Sequence, residues 1–394
     1  MQTTAINPVQ FSKRVPIVDI LRGWALFGVV LMNYAGFYEI GANHALKADT
    51  FNQAIITFGK IVFASKSWTM LSFLFGYGFA VLMENTASKG VNAVAFFSKR
   101  MFWLLLIALI NCAIFFGDIL KEYATLGMVL LLFRNCRAKT AFWIGIGIFI
   151  IVPAINPIIV SIAGHTGIKV FARYAYLYKS HSILNVLWFG LIASLKIMVL
   201  NLHIAVIINL MMLGCFLLGL AAHKAAFFSN LAANKKAIIK IWAACLIILV
   251  ITLVLNLIFT MPAALKKYYN PDNWVVLITM AFTVLSICWL YLAGKLKSFF
   301  NALQLIGKMT LTNYLVQNFI SIFLFSGFGF GFAFNHRLAA GYYYLFAIVI
   351  YVAQVYFSKW WLTKFYYGPV EWIWRQLSYG KRLAIKIKAQ SLQL

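Results

Sequence analysis

The sequence predicts an all-α protein: a polytopic transmembrane helix bundle of about ten spans with interfacial helices. Three observations predict it. Of 394 residues, 63% are hydrophobic and only 11% are charged, more apolar surface than a soluble core of this size can absorb. Apolar runs of near-membrane-spanning length recur along the whole chain. Lys and Arg punctuate the ends of those runs, as the positive-inside rule expects. The net charge of +26 is therefore spread along the span ends and not gathered on one soluble face. That distribution argues against a nucleic-acid partner and for membrane lipids with anionic head groups.

Residues 1–14 are polar, end in Lys13-Arg14 and carry no cleavable signal pattern, so they read as a cytoplasmic N-terminal segment. Residues 15–362 form the expected transmembrane domain. Its first span is 17–37, followed by a polar stretch and an interfacial helix near 50–64. Further spans are expected at 68–83, 102–116, 119–133 (a short one), 140–162, 202–222, 241–260, 274–293, 303–325 and 342–361. Residues 163–196 are basic and weakly periodic, with an amphipathic helix expected near 183–195. Residues 363–394 form a basic, Trp-containing tail. An even number of spans puts both termini on the cytoplasmic side and most loop cations with them.

Polar residues inside spans are costly and mark partner helices or wet cavities. Asp19 and Arg22 open the first span three residues apart, either as a local ion pair or with Arg22 holding an anionic group. Asn33 follows Arg22 by eleven residues, a net turn of only ~20°, so the two share a stripe. An amide cannot act as a base, but it can donate to a developing oxyanion or bond a neighbouring helix. His44, eleven residues further on, is a general-base candidate or a surface histidine. Asp118 and Glu122 have i,i+4 spacing at a helix start. They fit either an acid–base pair or helix capping with a solvated Glu122. Lys308 lies just inside the ninth span. Thr310, Asn313 and Gln317 then form one polar stripe, a cavity wall or interhelical glue. In the tail, Glu371, Trp372, Trp374, Arg375, Lys381 and Arg382 read as an interfacial anchor. The five scattered cysteines show neither metal nor disulfide spacing.

Five motifs, in order along the chain, carry a resemblance: D-I-L-R-G-W-A-L-F-G with Asn33, L-S-F-L-F-G-Y-G-F-A, G-D-I-L-K-E-Y-A-T-L-G, G-K-M-T-L-T-N-Y-L-V-Q and Y-G-P-V-E-W-I-W-R. Together they resemble the DUF418 (YeiB-like) family of bacterial inner-membrane proteins. The resemblance implies a place in a wider set of transmembrane acyltransferases. These take an acyl-CoA from the cytoplasm and acylate a sugar, glycolipid or other small acceptor on the far side. By that resemblance Arg22 matches an Arg of the first helix, Asn33 stands where some relatives have His, and His44 sits where others have one. Ile110-Asn111 stand where family members often carry a His. The expected function is then acyl transfer. Arg22 and Lys308 would bind acyl-CoA phosphates, and Asn33, Thr312 or Asn313 would polarise the thioester. His44 or Asp118 would serve as base. A transporter or lipid flippase, or a non-catalytic membrane scaffold, is the alternative; no metal is expected.

Overall fold

The computed structural model describes residues 15–41, 50–163, 166–258, 268–269, 271–334 and 338–387. The residues before 15 and His44 lie outside these. Among the described residues the fold is an all-α bundle, with one isolated antiparallel bridge between Phe365 and Lys386.

Helix α1 (Pro16–Gly41) is the centre, and packs chiefly against the helices Lys297–Lys308, Lys66–Ala87 and Ala340–Lys364. Helices α2 (Thr50–Val62), α3 (Lys66–Ala87), α4 (Ala93–Ile114) and α5 (Leu120–Leu130) follow. Next come α6 (Ala138–Ala163), α7 (Thr166–Tyr178), α8 (Ile183–Ala193), α9 (Asn209–Lys224) and α10 (Lys235–Ile258). The chain closes with α11 (Asp272–Leu292), α12 (Lys297–Lys308), α13 (Thr310–Phe325), α14 (Ala340–Lys364) and α15 (Pro369–Tyr379). Seven helices are long and apolar enough to cross a membrane: α1, α4, α6, α9 with the turn before it, α10, α11 and α14. The chain is a multi-pass membrane protein. Helix α10 presents Ile247, Ile251, Leu253 and Leu255 outward, as a lipid-facing helix must.

Close approach of α1 and α12 depends on two glycines. A Cβ at Gly23 would strike the carbonyl oxygen of Leu303, and one at Gly307 the carbonyl oxygen of Asp19. Small residues at such contacts let helix backbones touch where no water drives association.

Two expected spans and the expected amphipathic helix differ. Residues 119–133 hold α5, of 11 residues, and a short 3₁₀ turn. At ~1.5 Å per residue α5 cannot cross an apolar layer of ~30 Å, and it pairs with α4 as a hairpin. The span expected at 303–325 is broken at Met309, whose φ of −123° and ψ of 35° leave the helical region between α12 and α13. Helix α8 is apolar and not amphipathic, burying Val186 and Phe189 and exposing Leu184, Trp188 and Leu191. By contrast, α2 exposes Phe51, Phe58 and Ile61 beside Lys60, as an interfacial helix should.

The α4–α5 turn lies under an aromatic layer. Phe37 stacks on Phe325 at 4.4 Å and on Tyr178 at 6.0 Å between centroids, and meets Phe115 and Phe116 edge-on. The tail helix α15 packs at the opposite end, against α4 and α13.

Candidate functional site

A cavity of about 370 Å³ opens on the side of α15 and is walled by α1, α3, α4, α5, α12, α13 and α15. Its size falls at the small end of the ~300–1,000 Å³ typical of ligand pockets. Its two halves differ in character. The mouth carries Arg22, Arg100, Lys308 and Arg375 with Asp19 and Glu371, while the inner wall is Leu71, Leu74, Phe75, Leu104, Ile119 and Leu120.

Arg22 bonds Asp19 at 3.2 Å, one turn back along α1, so the ion pair expected from their spacing forms. Arg22 also faces the cavity, and its guanidinium lies over Gly78, where an added Cβ would stand 3.2 Å from the Nη2 atom. Arg22 is therefore both the partner of Asp19 and a cation lining the cavity.

Beyond the inner wall lies a buried polar cluster. Asp118 is fully buried and accepts from Asn111 Nδ2 at 2.7 Å, from the Leu120 amide at 3.2 Å and from the Tyr314 hydroxyl at 3.1 Å. Asn318 Nδ2 donates to Asn111 Oδ1 at 3.3 Å. Asp118 thus caps the start of α5 and also anchors a side-chain network. Glu122 is buried too and does not face Asp118 as an acid pair. Lys121 lies between them, 2.9 Å from Glu122 Oε1 and donating to the Asp118 carbonyl oxygen at 2.7 Å. The solvated reading of Glu122 is thereby corrected: an ion pair with Lys121 lets both be buried. Asp118 does not itself line the cavity, but Tyr314 does. The Tyr314 hydroxyl is the link from cavity to buried carboxylate.

The stripe of α13 divides. Thr310 lines the cavity and caps back onto the Gly307 carbonyl at 2.8 Å. Asn313 donates to Ser358 at 3.1 Å, Gln317 donates to Gln354 at 2.7 Å, and Gln354 returns to the Asn313 carbonyl at 2.9 Å. Asn313 and Gln317 therefore join α13 to α14 and do not line the cavity. Thr312 gives its hydroxyl to Glu371. Asn33 is half-buried on α1, outside the cavity that Arg22 enters.

The break at Met309 frees the first amides of α13, and the tail supplies their partner. Glu371 Oε1 accepts from Leu311 N at 2.7 Å and Thr312 N at 3.1 Å. A carboxylate at a helix N-terminus is favoured by unsatisfied amides and helix dipole together. Burial raises the Glu371 pKa above the usual value, while the bonds from Thr312 and Leu311 oppose the rise. Trp374, one turn on, donates to the Arg100 carbonyl at 2.9 Å, and the Arg100 guanidinium lies 3.7 Å over its ring. The tail is part of the site, not only an anchor.

Sequence reasoning missed Arg100, Asn111 as a hydrogen-bonding partner, Tyr314, Asn318, and the contribution of Glu371 and Arg375. A signal existed for two of them: Tyr314 and Asn318 are four apart, a second polar stripe on α13. His223 also gains a partner that spacing could not show, Glu84 at 2.6 Å. All five cysteines are free thiols, four of them buried. Among the described residues no cluster of three or more His, Cys, Asp or Glu could hold a metal.

The family model described as "Protein of unknown function (DUF418)" matches residues 222–381, which include α11 to α15, Lys308, Tyr314 and Glu371. Over that stretch the chain is similar to the DUF418 family. An uncharacterized protein of Bacillus subtilis, YxaH, is 28% identical over 406 residues, covering 95% of this chain and 97% of its own. An uncharacterized 39.9 kDa protein of the amylase 3′ region of Bacillus acidopullulyticus is 23% identical, covering 98% of this chain and 100% of its own. YeiB of Escherichia coli is 42% identical over 78 residues, 20% of this chain and 19% of its own. The full-length matches carry the likeness over the α1–α5 half of the site as well, beyond the DUF418 segment.

Proposed function

We propose that this protein is an integral membrane acyltransferase of a bacterial inner membrane, with both termini cytoplasmic. It moves an acyl group from cytoplasmic acyl-CoA to an extracytoplasmic sugar, glycolipid or other small acceptor. The observation that carries this reading is the cavity's construction: a cationic mouth, an apolar inner wall, and at that wall a tyrosine hydroxyl bonded to a buried carboxylate. An acyl thioester has the matching parts in the same order, namely phosphates, an apolar arm and a reacting carbonyl. The excess of Lys and Arg at the α15 side supports a cytoplasmic mouth.

In the reaction, Arg22 and Lys308 bind phosphate. The acceptor's O–H or N–H gives its proton to Asp118, through the Tyr314 hydroxyl. The freed electron pair attacks the thioester carbonyl, the C–S bond breaks, and the CoA thiolate leaves and takes up a proton. General-base assistance of this kind contributes roughly 10²–10⁴-fold. Asn313 and Thr312 are held by Ser358 and Glu371, and Asn33 stands off the cavity, so none of the three is placed to polarise the carbonyl, and the Tyr314 hydroxyl, bonded to Asp118, serves the proton transfer. His44 is the alternative base, on the acceptor side.

The test is to reconstitute the protein in vesicles, supply acetyl-CoA and longer acyl-CoAs at the mouth, and follow free CoA thiol and labelled acceptor. Acceptor-dependent thiol release that fails in Asp118→Asn is expected. Movement of solute or lipid across the vesicle without thiol release from any acyl-CoA would establish the transporter or flippase instead.

A further inference from the structure

The cavity mouth brings together guanidinium groups from three separate elements: Arg22 of α1, Arg100 of α4 and Arg375 of α15. Two carboxylates line the same mouth, and both are committed. Asp19 pairs with Arg22, and Glu371 holds the amides that open α13. Arg100 and Arg375 instead lie on aromatic faces, Arg100 on Trp374 at 3.7 Å and Arg375 on Tyr367 at 4.7 Å. Among the described residues neither lies within ion-pair distance of a carboxylate. The like charges of Arg375 and Arg22 both bear on Arg100. Stacking on rings holds a guanidinium plane in place but leaves its edge donors free. Repelling cations gathered beside an apolar wall, where charges interact more strongly than in water, are satisfied by an anion of charge −2 or more.

We propose that Arg100 and Arg375 form a phosphate-binding site at this mouth, completed by the tail helix α15. The ligand is an amphiphile whose phosphate groups sit among the guanidinium groups while its apolar part runs inward along Leu74, Leu104 and Leu120. Two sources carry that chemistry: a soluble nucleotide thioester and the headgroup of an anionic lipid. The assignment rests on the acyl-donor reading only in what the ligand's apolar end does; the anion site stands or falls separately. Glu371 becomes a positioning residue, because its bonds to Leu311 and Thr312 fix the helix that carries Arg375.

Binding to the full-length protein in detergent tests this with four probes: coenzyme A, inorganic pyrophosphate, dihexanoyl phosphatidic acid, and pantetheine, which lacks phosphate. Phosphate-bearing probes are expected to bind, and pantetheine at least about tenfold more weakly, as befits lost charge-assisted hydrogen bonds. Arg375→Gln is expected to weaken that binding by about tenfold or more, and raised salt to weaken it further, while Arg382→Gln leaves it unchanged. Binding of coenzyme A without the phosphatidate identifies a nucleotide ligand, and the reverse a lipid. Arg100→Gln removes a stacked cation and could unfold the mouth, so Arg375→Gln, with its melting temperature compared to wild type, decides. Unchanged affinity in a folded Arg375→Gln, equal binding of pantetheine, or no binding of any phosphate probe would overturn the site. Arginine-dependent binding without thiol release would sink acyl transfer and keep the site. Thiol release with an unchanged KM in Arg375→Gln would do the opposite.

Discussion

The two polar faces of α13 carry the same kinds of residue and do different things. One face, Asn313 and Gln317, is consumed by Ser358 and Gln354 of α14. The other, Tyr314 and Asn318, meets Asp118 and Asn111 at the α4–α5 turn. Each group on the first face bonds a neutral side chain of a neighbouring span. The second face ends on a carboxylate beside a cavity, and among the described residues no guanidinium pairs with it. A polar residue on such a helix therefore joins a neighbouring helix or meets a buried carboxylate according to what it faces, and residue type alone does not separate the two.

Substitutions on the two faces should separate activity from stability. The largest effect is expected from Asp118→Asn, which keeps the shape and removes the proposed base. Acyl-CoA thiol release should fall by roughly 10²-fold or more with little change in melting temperature. Tyr314→Phe cuts the link between cavity and carboxylate, and should lower turnover about tenfold while the donor's KM holds. On the adhesive face, Gln317→Leu should cost ~1 kcal/mol of stability and leave turnover unchanged, the usual scale of an interhelical hydrogen bond in a membrane. Loss of turnover in Gln317→Leu at unchanged stability would erase the distinction between the faces.

The smallest expected effect tests the tail. Glu371→Ala should cost ~1 kcal/mol by uncapping α13. A carboxyl whose pKa rises on folding contributes most below its unfolded pKa, and the contribution fades as pH rises through the raised value. Burial raises that of Glu371, so docking of α15 should be tighter in mild acid than at neutral pH. Glu371→Gln, which cannot ionise, should flatten that dependence in melts followed across the range.

The all-α class and the multi-pass character were legible in the sequence, because run length and the placement of Lys and Arg are properties of single elements. So was the Asp19–Arg22 pair, three apart on one helix. The break at Met309 was not, because the partner of the freed amides, Glu371, lies 60 residues away from Leu311. Nor was the short α4–α5 hairpin, since 102–116 and 119–133 each read as an apolar run, the second a short span. Asn111, Tyr314 and Asn318 were passed over because a polar residue at the foot of a span reads alike whether it faces a carboxylate or an amide. Arg100 read as a loop cation, and only the docking of α15 makes it part of a cavity.

The central claim is that an acyl donor lies in this cavity with its apolar arm against the inner wall. A photoreactive acyl-CoA with a diazirine in its chain, activated on the vesicle-embedded protein and mapped by peptide mass spectrometry, tests it most directly. Label is expected on the segment from Leu104 to Tyr123 and on α13 around Tyr314, and excess coenzyme A should suppress it. Label confined to the lipid-facing surface of α10, unaffected by coenzyme A, would contradict the claim.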